Sequence, residues 1–221
     1  MSSAETTTQT ATLATTLFEL LRHMDQEAST VCNGHPTGLQ DYGRHARPEL
    51  KRPQNEPEWS KRLARLLTER GLPATAEVKY PADPRKKCDV VVTLAPNQRL
   101  WIELKGAWRD YWQRQGSLYL YRSYLLHPLV EGLDDKSHTV PRDLEKLARL
   151  SAPEAQHVGM LLIGFERPDD TMDRDVGDLV RLARERGLTD LETGWQGFTD
   201  RWNSAHVPNQ TVRCWYWTRP T

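Results

Sequence analysis

The stretch KCDVVVTLAPNQRLWIELKGAW, residues 87–108, decides the fold. CDVVVTL (88–94) is a run of β-prone residues, APNQ (95–98) is a turn, and RLWIELKG (99–106) is a second run of the same kind. Two adjacent strands are expected, yet both carry ionised groups: Asp89 in the first, Glu103 and Lys105 in the second. A charge inside an apolar strand is costly without a partner. Side chains alternate along a strand, so Glu103 and Lys105 share a face. If the two strands pair, Asp89 reaches the same spot. Two carboxylates held together repel unless a cation sits between them. Magnesium suits such a place, with manganese as an alternative, because it accepts carboxylate oxygens and keeps several waters. The peptide oxygen of Leu104 is a further candidate ligand. Lys105 would then orient or deprotonate a water, or offset negative charge on a phosphate. A metal, an activated water and charge neutralisation are what phosphodiester hydrolysis needs.

The rest of the chain supplies a body for these strands. With 221 residues, 27% charged and 38% hydrophobic, the expectation is one globular domain with an appended arm. No apolar run approaches the roughly 18–20 residues of a membrane span. MSSAETTTQTATLATT at the start lacks the basic and apolar regions of a secretory signal, so a cytoplasmic protein without membrane contact is expected. Cys32, Cys88 and Cys214 are odd in number and far apart, which argues against a disulfide framework or a zinc knuckle. There is no Walker loop, no dinucleotide fingerprint and no G-x-S-x-G elbow. The net charge is zero, but residues 43–88 hold 12 Lys/Arg against 6 Asp/Glu, and residues 166–201 hold 6 against 10. A basic half permits a polyanionic partner.

Along the chain, residues 1–12 are Ser/Thr-rich and expected to be disordered. TLATTLFELLRHM (12–24) places Leu13, Leu17, Leu20, Leu21 and Met24 on one helical face. Residues 30–56 read as loop, so the arm is taken as 1–54 and the domain as 55–221. A helix follows from Asn55, closed by Gly71, with Trp59, Leu63, Leu66 and Leu67 as its apolar face. TAEVKY (75–80) adds a strand before the opening stretch, making a three-strand meander. The aromatic-rich 107–130 is read as helix. VPRDLEKLARL (140–150) and DVGDLVRLARERG (175–187) are amphipathic helices. HVGMLLIGFE (157–166) and TVRCWYWT (211–218) are strands, the first apolar enough to be buried on both faces. This order predicts an α/β mixed sheet covered by helices on both sides.

Asp89, thirteen intervening residues, then ELK at 103–105, after a helix and within a meander, resembles the signature of the PD-(D/E)XK nuclease superfamily. The resemblance covers about residues 55–166. It implies a restriction-endonuclease-like fold, a magnesium-dependent nuclease acting on DNA, and Asp89, Glu103 and Lys105 as the catalytic set. Cys88 stands where the superfamily's Pro often precedes the Asp. Many members carry a Glu on the preceding helix, which nominates Glu58, 31 residues before Asp89. The local alternative is that NEPE (55–58) is a near capping box and Glu58 serves its own helix. Gln115 and Tyr119 match a Q-x-x-x-Y spacing of an exonuclease-like branch. RDLEKL (142–147) resembles a Lys-bearing helix that often follows the catalytic strands, so Lys146 is a phosphate-contact candidate; with Asp143 it also makes an ordinary i,i+3 pair. Arg44, Arg47, Lys51, Arg52, Arg85, Lys86 and Lys87 are candidates for contacts to a nucleic-acid backbone. Restriction, genome defence or repair is the implied setting, with a homodimer or a defence-system protein as partner. The alternative is a catalytically inactive module of the same fold that binds nucleic acid or protein.

Overall fold

The computed structural model describes residues 3–27, 31–32, 35–36, 39, 55–108, 111–114, 117–120, 140–150, 155–185, 194–205 and 209–221. Among these, the chain forms a mixed six-stranded sheet with four helices. Helix α1 spans Ser3–Gln26 and α2 spans Asn55–Glu69. Strands β1 (Val31–Cys32) and β2 (His35–Pro36) form a small separate ladder between them. The meander follows as β3 (Ala74–Lys79), β4 (Lys87–Ala95) and β5 (Gln98–Trp108). Next come β6 (Tyr111–Arg114), β7 (Ser117–Leu120), α3 (Val140–Ala148) and β8 (His157–Glu166). The chain ends with α4 (Asp173–Glu185), β9 (Gln196–Asn203) and β10 (Thr211–Pro220).

The main sheet runs β3-β4-β5-β8-β10-β9. Only β5 and β8 are parallel; every other neighbouring pair is antiparallel. A parallel neighbour requires a crossover. Here the crossover carries α3, which packs back onto β5 and β8. β8 is buried on both faces, as its unbroken apolar run requires.

Local chemistry explains the joints of the meander. α2 ends in a pair of backbone bonds, Leu72 N–H to Leu67 O at 3.0 Å and Gly71 N–H to Thr68 O at 3.0 Å. Gly71 sits at φ 81, the left-handed conformation that this cap demands and glycine supplies. The Thr68 hydroxyl then accepts from Ala74 N at 3.0 Å, tying the helix end to the start of β3. Asn97 turns β4 into β5 at φ 66, a conformation Asn tolerates.

Two apolar layers sandwich the sheet. One joins α1 and α2 to Val90, Val92, Leu100, Ile102, Leu104, Leu161, Ile163, Val212 and Tyr216. The other joins α3 and α4 to Trp101, Met160, Leu162, Trp215 and Trp217. Gly164 lets the second layer close, since a Cβ there would lie 2.7 Å from the Trp215 ring.

Two sequence expectations change. Residues 3–12 are helical rather than disordered, and Thr15 and Thr16 return their hydroxyls to the carbonyls of Ala11 and Thr12. Tertiary burial of the helix's apolar face offsets the weak helix propensity of the Thr run. The helix expected over 107–130 gives way, among the described residues, to the end of β5 and the β6–β7 ladder. Tyr-rich segments favour strands, and here that preference prevails. β9, which the sequence reading did not identify, forms one edge of the sheet. The N-terminal helix, read as part of an arm, lies in the same core as α2: Leu13, Leu17, Leu20, Leu21 and Met24 are all buried there. Asp25, also buried, accepts from Leu39 N at 2.9 Å and Trp202 Nε1 at 3.1 Å, linking α1 to the chain that follows it and to β9.

Candidate functional site

β5 divides its side chains between the two layers. Leu100, Ile102 and Leu104 enter the α1/α2 layer, so Trp101, Glu103, Lys105 and Ala107 face α3 and α4. Glu103 and Lys105 are 2% and 4% exposed, although both are charged residue types. Such groups are almost never fully buried without partners.

Asp89 arrives from β4 by a local irregularity. Cys88 and Val91 belong to the α3/α4 layer, while Val90 and Val92 belong to the other. The regular β4–β5 register begins at Val90↔Ile102. One step beyond, Leu104 N–H donates to Asp89 Oδ2 at 2.7 Å. The Asp89 carboxylate thus takes a place in the ladder that a backbone carbonyl would otherwise hold, and it turns toward β5. The Asp89 and Glu103 carboxyls are close enough to influence each other's proton affinity. Because N–H and C=O of one strand residue point to the same side, the Leu104 carbonyl shares this gap.

The partners come from two further elements. Tyr80, just after β3, donates its hydroxyl to Glu103 Oε1 at 2.5 Å. Its ring leans on Trp101, with centroids 5.4 Å apart. From α3, Asp143 Oδ2 sits 3.1 Å from Lys105 Nζ, and Asp143 Oδ1 accepts from Lys146 Nζ at 2.5 Å. Lys146 also donates to Glu103 Oε1 at 3.3 Å. Three carboxylates and two ammonium groups therefore form one connected cluster, closed over by α3.

Electrostatics follows from that crowding. Burial raises Asp89 to about 6; Lys105 opposes the rise and Asp143 adds to it. Burial, then the charges of Asp143 and Asp89, push Glu103 well above the usual carboxylate range. Burial works against the charge on Lys146, but Asp143 and Glu103 outweigh it and hold its pKa up. Burial raises the Tyr80 hydroxyl, reinforced by Cys88 and Glu103. Without a cation, Glu103 holds its proton the more firmly, while Lys105 and Glu103 favour the charged form of Asp89. Asp89 is only half-buried and Lys146 is 24% exposed, so these two reach solvent while Glu103 and Lys105 do not.

Among the described residues, no group of three or more His, Cys, Asp and Glu side chains is arranged to hold a metal ion. A magnesium-class cation asks for less: one or two carboxylates, with waters and other oxygens completing the shell. Asp89, Glu103 and the Leu104 carbonyl fit that donor set, since a cation between the carboxylates favours the charged forms that burial penalises.

The other sequence candidates are dispersed. Glu58 is exposed and pairs with Lys61 of its own helix at 3.6 Å. α2 buries its Trp59 side in the opposite layer, so the structure does not bring Glu58 to the cluster. Arg85 and Lys86 lie in the exposed β3–β4 connection, which begins at Tyr80, and Lys87 opens β4. Arg85 and Lys86 face Asp83 at 3.1 and 3.8 Å, and Lys87 faces Glu77 at 3.3 Å. Gln115, Arg44, Arg47, Lys51 and Arg52 lie outside the described residues, as does the side chain of Tyr119. Sequence reading missed Tyr80 and underrated Asp143. A signal for Asp143 existed: helical spacing puts it on the same face as Val140, Leu144 and Leu147, all buried. Nothing in the spacing singles out Tyr80.

No helix among the described residues is long and apolar enough to cross a membrane. Comparison of the chain with family models, curated proteins and solved structures gives no match.

Proposed function

We propose that this chain is a metal-dependent nuclease of restriction-endonuclease-like architecture that hydrolyses phosphodiester bonds of DNA. One observation carries the reading. Asp89, Glu103 and Lys105, from adjacent strands, gather at one spot where the two carboxyls influence each other and two ammonium groups stand within the same cluster. A nonfunctional pattern of charges would have been free to point to solvent. The helix before a meander, the Asp on its second strand and the Glu-x-Lys on its third agree with the superfamily that the motif resembles.

In this reading Asp89, Glu103 and the Leu104 carbonyl hold magnesium or manganese. When bound, such a cation supplies Lewis-acid charge to a phosphoryl oxygen. Lys105 orients the attacking water and offsets charge developing on the phosphate. Tyr80 holds Glu103 in one rotamer through its hydroxyl. Lys146, partly exposed, meets a phosphate at the mouth of the site. Arg85, Lys86 and Lys87 track the flanking nucleic-acid backbone, a role that positions without reading sequence. Restriction, defence or repair is the setting this chemistry serves.

A non-catalytic module that binds nucleic acid or protein is the second reading. It is favoured by the ion pairing within the cluster, where Lys105 and Lys146 already face Asp143 and Glu103. Cleavage of plasmid, linear, branched and RNA substrates separates the two. Magnesium-dependent cleavage, abolished by EDTA and by Lys105→Ala, supports the nuclease. A folded wild-type protein that cuts nothing with magnesium or manganese, and binds neither by isothermal titration, sinks it.

A further inference from the structure

We infer that Glu77 is a positioning residue: its left-handed backbone, across from Asp89, turns β3 over so that Tyr80 meets Glu103 and Asp89 is released toward Leu104. The catalytic consequence rests on the nuclease reading above; the backbone geometry does not. Glu77 has φ 58 in the middle of β3. A residue with a Cβ adopts that conformation only at a cost, and inside a strand it breaks the ladder. The break is confined to one rung. Ala76 pairs with Val90 and Val78 with Cys88, while Glu77 and Asp89, which lie between them, do not pair. Regular pairing continues at Lys79↔Lys87, and Tyr80 N–H donates to Lys86 O at 3.1 Å.

Both strands change face at this rung. Ala74 and Ala76 pack against the α1/α2 layer, but Val78 and Tyr80 pack in the α3/α4 layer. On β4, Val92 and Val90 enter the first layer and Cys88 the second. Residues two apart on a regular strand share a face. Unbroken alternation from Ala74 would therefore send Tyr80 toward α1 and α2, away from the Glu103 carboxylate that its hydroxyl meets at 2.5 Å. The same rung leaves Asp89 unpaired with β3, and its carboxylate takes Leu104 N–H at 2.7 Å. The Glu77 side chain has the lesser part, since its contact with Lys87 at 3.3 Å is an exposed ion pair of little weight. Backbone strain persists where the surroundings hold it in place, and here it sets two contacts of the charge cluster. Glu77 acts through Tyr80 and Asp89, not on a substrate.

The test follows Leu104 amide exchange by NMR, thermal midpoint and magnesium-dependent plasmid cleavage in four variants. Glu77→Gly and Glu77→Asn accept the left-handed backbone, Glu77→Val resists it, and Glu77→Gln removes only the charge. For Glu77→Val we expect Leu104 exchange to rise at least tenfold relative to the other β5 amides, and kcat to fall at least tenfold. The other three should keep both within twofold of wild type. Glu77→Gly should hold or raise the thermal midpoint, whereas glycine weakens a regular strand. β3 is also an edge of the sheet, where a break can serve only to block pairing between molecules. If Glu77→Val self-associates in sedimentation but keeps Leu104 exchange and cleavage within twofold, that lesser role is the whole of it and the inference fails, with the nuclease reading intact. If Glu77→Val does not fold, Glu77→Gly decides: a midpoint held or raised supports the inference and a lowered one overturns it. If wild type does not cleave but Leu104 exchange still separates Glu77→Val from Glu77→Gly, the nuclease reading fails and the positioning by Glu77 stands.

Discussion

The two faces of β5 belong to one strand but obey different rules. Toward α1 and α2 it presents Leu100, Ile102 and Leu104, enclosed by Leu and Val from both helices and sheet. Toward α3 and α4 it presents Trp101, Glu103, Lys105 and Ala107, and the helix that covers them contributes Asp143 and Lys146. The first face stabilises the molecule by removing apolar surface from water. The second buries charges whose desolvation is offset only by one another. Placing both on one strand means that the apolar face fixes the geometry of the polar one. A cluster that is locally unfavourable persists because the opposite layer holds its strand in register.

Breaking the polar face should lower activity by far more than it lowers the folded fraction. Asp89→Asn keeps an acceptor for Leu104 N–H but removes the charge, and Lys105→Ala removes the ammonium. Each is expected to lower magnesium-dependent cleavage by about 10²–10³-fold or more, with circular dichroism unchanged. Breaking the apolar face should do the reverse. Ile102→Ala deletes a fully buried side chain and is expected to cost about 2–5 kcal/mol in denaturant unfolding, while kcat per folded molecule holds. Loss of kcat out of proportion to unfolding would show that the faces are less separate than described.

The polar face should also show in the pH dependence of the metal-free protein. The folded pKa of Asp89 is raised from 3.8 to about 6, and that of Glu103 is raised too. Between the unfolded and folded values the folded state binds more protons, so stability falls as pH rises through that window. For Asp89 the loss is on the order of 2–3 kcal/mol between about pH 4 and pH 7. Thermal midpoints across that range, with and without added magnesium, check the sign; Asp89→Asn should flatten the slope. Tyr80→Phe sharpens the picture further. It removes one bond to Glu103 and should cost about 1–2 kcal/mol, with a weaker magnesium response. The smallest effect belongs to Glu58→Gln. An exposed i,i+3 partner of Lys61 should change stability by no more than about 0.5 kcal/mol and leave cleavage rates as they are. A large loss of cleavage would return Glu58 to the site.

Much of this was legible in residues 87–108. Alternation placed Glu103 and Lys105 together, and the Pro96–Asn97 turn made β4 and β5 neighbours. Periodicity likewise read the buried faces of α1 and α2. What failed was local. The Tyr-rich stretch after β5 has both helical length and β-prone residues, and the order of residues alone does not choose between them. Glu58 has the right spacing, but its carboxylate is exposed and pairs within α2 while the buried side of that helix packs in the opposite layer.

The sequence by itself determined that a strand pair would carry an Asp and a Glu-x-Lys, because side-chain alternation is a property of the extended chain. Only the tertiary structure decided that Asp89 turns into the ladder toward Leu104 and that Tyr80 caps Glu103. It alone decided that Asp143 closes the charge cluster from α3. Those contacts join residues 15, 23 and 38 positions apart in the chain, respectively. At such separations neighbours are chosen by how the sheet pairs and which helix covers it, and no local pattern records that choice.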